Sequence, residues 1–157
     1  LTVPQTDTRR SFLATAAALG ALAAGWLLRP LAAFAEEWNR AAFETRDVTE
    51  AMRNAGVRDL IESADIVVKA PEIAENGAQV PLEIESRIAG TQSISIFVDK
   101  NVQPYVGTFT FRPGADPFVS TRIKMGETSP LRVVVRAGDR QYVAVREVKV
   151  TIGGCGS

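Results

Sequence analysis

Val80-Pro81-Leu82-Glu83-Ile84-Glu85-Ser86-Arg87-Ile88 decides the fold, because apolar and polar side chains trade places along it at a spacing of two. Successive side chains of an extended strand point to opposite faces. Val80, Leu82 and Ile84 therefore share one face, while Glu83, Glu85 and Arg87 share the other. That is the pattern of a half-buried antiparallel strand with one wet face. Ile94, Ile96 and Val98 recur at the same spacing, and a second such strand is expected there.

Working outward, short β-branched runs follow one another from Asp65 to the end of the chain, separated by Gly, Pro, Asn and Asp. They predict strands over 65–70, 80–88, 93–100, 105–112, 118–125, 131–137 and 141–152. Asn76-Gly77, Pro113-Gly114 and Gly138-Asp139 supply turns between them. In the last strand Val143 and Val145 share one phase, whereas Val148 and Val150 share the other. A bulge near Arg146 is the expected reason. Seven strands in roughly 90 residues predict a mainly β protein, an immunoglobulin-like antiparallel β-sandwich over 57–152.

Upstream, 36–56 reads as a short N-terminal helical segment. Val48, Ala51, Met52 and Ala55 recur at i, i+3, i+4 and i+7, which places them on one helix face. Asp47 stands where an N-cap belongs, with Glu50 three residues on, and Gly56 suits the C-terminal end.

The first 35 residues have a different character. Arg9 and Arg10 precede Ser11-Phe12-Leu13 and an alanine-rich apolar run, and Ala33-Phe34-Ala35 then offers the small residues at which a signal peptidase cuts. This order predicts a cleaved leader of the twin-arginine (Tat) type and a periplasmic destination. The apolar run meets Arg29 and Pro30 before it reaches the roughly 20 residues of a membrane span, so no stable membrane anchor is expected. Cleavage before Glu36 would remove three basic residues and one acidic residue from 18 of each. The net charge of −2 that remains, with both signs interspersed, does not suit nucleic acid.

The chain has no histidine and a single cysteine. The commonest general base and metal ligand is missing, which argues against an enzyme acting alone and leaves no metal or other cofactor expected. An unpaired thiol in an exported protein calls for a use, because disulfides persist in that compartment. Cys155 sits in Gly153-Gly154-Cys155-Gly156-Ser157, where no neighbour can bury anything. Glycine has the widest backbone freedom of any residue, so Gly153, Gly154, Gly156 and Ser157 are expected to form a flexible arm over 153–157. At about 3.3–3.6 Å per extended residue, the sulfur could reach about 10 Å past the last strand. An exposed thiol has a pKa of about 8.5, and no cation stands beside Cys155 in sequence, so activation is expected from a visiting enzyme. The residues alone leave two uses open. One is a covalent carrier, and the other is a binding module whose terminal cysteine links two chains by a disulfide.

Ala70-Pro71-Glu72-Ile73-Ala74-Glu75-Asn76-Gly77 with Val80-Pro81, Gly114-Ala115-Asp116-Pro117 leading into Ser120-Thr121-Arg122-Ile123-Lys124-Met125, and Val148-Lys149-Val150-Thr151 before the tail resemble the SoxY family, the sulfur carriers of bacterial thiosulfate oxidation. The resemblance covers nearly all of the chain after residue 35. It implies an immunoglobulin-like domain paired with a smaller SoxZ-like subunit and no catalytic residue of its own, with Cys155 as the point of sulfur attachment. It also implies transient visits from SoxAX-type, SoxB-type and, where present, SoxCD-type enzymes. Ser157 departs from the terminal glycine usual in the family. Trp38 and Phe43 read as helix packing, Asp116 before Pro117 as turn chemistry, and Asp99-Lys100 as a solvated strand end.

Overall fold

The structure, a computed structural model, describes residues 39–151. The leader expected over 1–35, with Arg9 and Arg10, and the arm expected over 153–157 lie outside the described residues. So does Trp38. Two helices, α1 (Arg40–Glu44) and α2 (Val48–Asn54), precede nine strands. These are β1 (Leu60–Glu62), β2 (Ile66–Lys69), β3 (Ile73–Ala74), β4 (Val80–Ser86), β5 (Thr91–Val98), β6 (Tyr105–Thr110), β7 (Phe118–Ile123), β8 (Ser129–Ala137) and β9 (Arg140–Val150). One sheet has the order β1-β9-β8-β5-β6, with β3 also on β9, and the other has the order β2-β4-β7.

The sandwich forms because the alternation read in the sequence gives each sheet an apolar face. In β4, Val80, Leu82 and Ile84 are buried, while Pro81 and Glu83 are exposed. They meet Ile94, Ile96 and Val98 of β5, Leu131, Val133 and Val135 of β8, and Val148 of β9 in one core between the sheets. All seven strands expected from the alternation are present. The fold is mainly β and immunoglobulin-like, as expected.

The expectation of one wet face per strand fails for the larger sheet. Phe97 and Val134 point away from the sandwich core and are buried. They form a second core with Ala42, Ala51, Tyr105 and Val143, against which Phe43, Val48, Met52 and Leu60 also pack. The helices thus lie over the outer face of the larger sheet and make a third layer.

This second core also removes the expected bulge. The β8–β9 register runs without a shift from Ser129↔Val148 to Ala137↔Arg140. Val143 and Val148 lie in different phases because they belong to different cores, one on each face of β9. The register shifts fall instead on β5, between Ile96 and Phe97 against β6 and between Thr91 and Ser93 against β8. Arg146, placed at the expected bulge, stays in regular strand on the sandwich side, and its guanidinium donates to the Val68 carbonyl at 3.4 Å.

Two strands had no counterpart in the sequence reading. β1 and β3 both run parallel to β9, in registers Leu60↔Gln141 to Glu62↔Val143 and Ile73↔Lys149 to Ala74↔Val150. The sandwich is therefore not wholly antiparallel. Together they cover both ends of the outer edge of β9, and β2 crosses to the other sheet between them.

The helical segment is two helices rather than one within the described residues. Thr45 leaves α1 in an extended conformation, with φ −78° and ψ 146°. Asp47 then caps α2 by accepting from the Glu50 backbone N–H at 2.8 Å. Asn39 and Asn54 tie the pair together, with the Asn39 amide donating to the Asn54 carbonyl and the Asn54 amide to the Ala41 carbonyl. Gly56 closes α2 at φ +77°, a conformation that costs a side-chain-bearing residue free energy and glycine little.

Candidate functional site: the root of the C-terminal tail

Cys155, Gly153, Gly154, Gly156 and Ser157 lie outside the described residues. The structure does describe the strand that leads to them, up to Thr151. The backbone ladder between β8 and β9 ends at Ser129↔Val148. Beyond that point β9 is held by other partners on both sides. On the outer edge, Lys149 N–H donates to the Glu72 carbonyl at 2.9 Å and Thr151 N–H to the Ala74 carbonyl at 3.1 Å. The Thr151 hydroxyl donates to the Glu75 carbonyl at 3.2 Å. On the inner edge, Val150 N–H donates to the Thr128 hydroxyl oxygen at 2.9 Å.

Each of these partners is itself fixed. The segment before β4 turns through Asn76, whose side-chain oxygen accepts from Ala78 N–H at 2.8 Å. This is the Asx geometry expected of Asn76-Gly77. Met125 N–H donates to the Gly77 carbonyl at 2.7 Å, which joins that turn to the β7–β8 loop. Asn101 binds the same loop twice, donating to the Lys124 carbonyl at 2.7 Å and accepting from Gly126 N–H at 2.9 Å. Lys100 N–H donates to the Ser129 hydroxyl at 3.0 Å.

Of the solvated strand end that the sequence suggested at Asp99-Lys100, Lys100 is exposed but Asp99 is not. The Arg132 guanidinium donates to both Asp99 carboxylate oxygens, with Nε at 2.8 and 3.0 Å and Nη2 at 2.8 Å. Only 13% of the Asp99 side chain is exposed. The hydrogen bond to Asp99 raises the Arg132 pKa, partial burial opposes that rise, and the charge of Asp99 adds to it. Asp116 behaves as expected of turn chemistry, since its carbonyl accepts from Phe118 N–H at 2.8 Å. Phe43 packs as expected, with its ring centroid 4.5 Å from that of Tyr105.

Beside the root, Ile73, paired with Lys149, is an exposed apolar side chain, at 57%. Open depressions of about 500 and 420 Å3 flank the β8–β9 hairpin, at the opposite end of β9, and are lined in part by Arg58, Arg136 and Asp139. Sequence reasoning missed Thr128, Asn101 and the β3 segment as parts of the site. Their signal is a matter of what lies opposite β9, which no local pattern encodes.

The fold and this site define an immunoglobulin-like β-sandwich whose last strand is anchored to its final described residue, directly before a glycine-rich, cysteine-bearing sequence. A family model described as "Sulfur oxidation protein SoxY" matches residues 52–155. A solved structure, the sulfur carrier protein SoxY from Chlorobium limicola f thiosulfatophilum, is 48% identical, with a TM-score of 0.58 over 64% of this chain and 92% of that one. A superoxide reductase (neelaredoxin) from Ignicoccus hospitalis is 18% identical, with a TM-score of 0.48 over 54% of this chain and 79% of that one. No curated protein matches the chain. The chain belongs to the SoxY family.

Proposed function

We propose that the protein carries sulfur intermediates of thiosulfate oxidation on Cys155, as a substrate-bearing subunit for other enzymes and not as a catalyst. The observation that carries this reading is the extent of the family match, which ends on Cys155 itself. The solved relative, a sulfur carrier protein, supports it. So does the anchored stem, which holds β9 in place up to Thr151, four residues before the thiol.

A SoxAX-type haem protein would join the thiosulfate sulfane sulfur to the Cys155 sulfur, taking up the two electrons released as the S–S bond forms. A SoxB-type hydrolase would then add water across the terminal S–S bond and release sulfate, leaving a persulfide for a SoxCD-type enzyme where one is present. The glycines on either side leave a narrow active-site channel nothing bulky to exclude. The working form is a heterodimer with a SoxZ-like subunit, exported to the periplasm on the twin-arginine signal at Arg9 and Arg10.

The test is mass spectrometry of the C-terminal peptide from thiosulfate-grown cells, run beside Cys155→Ser. Thiosulfonate or added sulfur on Cys155, and loss of thiosulfate oxidation in the variant, are expected. A bare thiol throughout, with undiminished oxidation in the variant, would overturn the reading.

A further inference from the structure

We propose that the open edge of β6 is a dimerisation surface, pairing with the same edge of a second copy of this chain across a two-fold axis at Phe109. The inference stands apart from the carrier reading of Cys155. β6 hydrogen-bonds to β5 on one side, and among the described residues no strand lies on its other side. An unpaired edge offers its backbone groups to any strand that arrives, so proteins guard such edges with charge, proline or cover. The other edges here are guarded. β9 is covered by β1 and β3, β7 carries Arg122, and the Val68 carbonyl of β2 accepts from Arg146. β6 and the residue after it read Tyr105-Val106-Gly107-Thr108-Phe109-Thr110-Phe111, with no charge and no proline. The one irregularity, a register shift opposite Val106, leaves the stretch from Gly107 to Phe111 regular.

The Phe111 N–H donates to the Gln92 carbonyl at 2.8 Å, and Phe109 stands opposite Ile94. Backbone groups alternate sides along an antiparallel strand, so those of Phe109 and Phe111 face β5 and those of Thr108 and Thr110 face outward. A second β6, laid antiparallel with its Phe109 opposite Phe109, brings Thr108 of each copy against Thr110 of the other. Backbone hydrogen bonds then close in both directions at each of these two pairs. The same register answers the side chains. The two Phe109 rings, each 40% exposed in the single chain, meet at the axis, where aromatic cross-strand pairs are favoured. Gly107 comes opposite Phe111, and an aromatic ring over a glycine covers bare backbone. Threonine opposes threonine, a favourable pair, and no charge opposes a like charge. The edge is thus its own complement, as a two-fold interface between identical chains requires. That self-complementarity selects a second copy over a different chain as the occupant.

The full chain is kept under reducing agent, so that Cys155 cannot link copies, and its mass is followed against concentration by sedimentation equilibrium. A reversible dimer is expected. Phe109→Lys and Phe109→Glu each set two like charges face to face at the axis and should weaken the dimer about a hundredfold or more. An equal mixture of the two variants should dimerise again. Thr110→Pro removes an outward donor from each copy and leaves the bonds to β5 in place, and it should weaken the dimer about tenfold. Far-UV circular dichroism should stay native in all three variants. With the SoxZ-like subunit added, each particle should hold two copies of this chain, as two heterodimers joined at β6. A monomer at every concentration overturns the inference, as does a dimer that Phe109→Lys and Thr110→Pro leave as tight as before, or a mixture of the charged variants that stays monomeric. So does a particle that holds one copy of this chain beside the added subunit, with the Thr108 and Thr110 amides protected from exchange, because that subunit would then be the strand on this edge.

Discussion

Asp99 and Arg132 show how much a single side chain can hide from a sequence. They stand 33 residues apart, and nothing near either one announces the other. Asp99 followed by Lys100 reads as an exposed strand end. In the fold it accepts three contacts from one guanidinium and is largely withdrawn from water. Charge-assisted, bidentate pairs of this kind are stronger than neutral hydrogen bonds, and removing one partner leaves the other half-desolvated. Asp99→Ala is expected to destabilise the fold by about 2 kcal/mol, read as a lower urea midpoint at unchanged slope. Adding Arg132→Ala should cost little more, so a double-mutant cycle should return a clear coupling. Cys155, by contrast, is conspicuous in the sequence as the chain's one cysteine, set among glycines. Thr128 was invisible, since its partner Val150 is 22 residues away.

The longer elements were legible wherever a period had room to repeat. Residues 80–86 alternate through a full strand, and the observed burial follows the alternation. β1 and β3, at three and two residues, are too short to show any period and exist because β9 offers them an edge. The helices were legible through their cap. Asp47 and Glu50 form the expected contact at 2.8 Å, and Asp47→Ala should cost about 1 kcal/mol, seen as faster amide exchange confined to α2. The break at Thr45 was not legible, because the apolar spacing of α2 does not extend to α1. The misread phase of β9 has a physical cause: a strand covered on both faces carries two apolar patterns at once, and neither is a bulge.

Across the whole molecule, the three layers share one central sheet, and Phe97 is the side chain by which that sheet grips the helices. It is fully buried, and its ring lies 5.3 Å from that of Tyr105. Phe97→Ala should cost about 3–5 kcal/mol, a large part of the 5–15 kcal/mol that is usual for a domain. Chemical denaturation should show it as a sharp fall in midpoint, with the helices loosening first in exchange experiments. The third layer was not foreseeable from strand patterns, because Phe97 and Val134 announce themselves as inward-facing without saying what they face.

β9 runs the length of the sheet, from Arg140 to Val150, bonded to β8 on one side and to β1 and β3 on the other. A pull applied at Thr151 along that strand therefore loads both of its edges at once. Its bonds must slide together in shear and cannot be peeled away one at a time. In the carrier role proposed for Cys155, a load that a partner enzyme passes to Thr151 would spread over the whole sheet and leave the body folded.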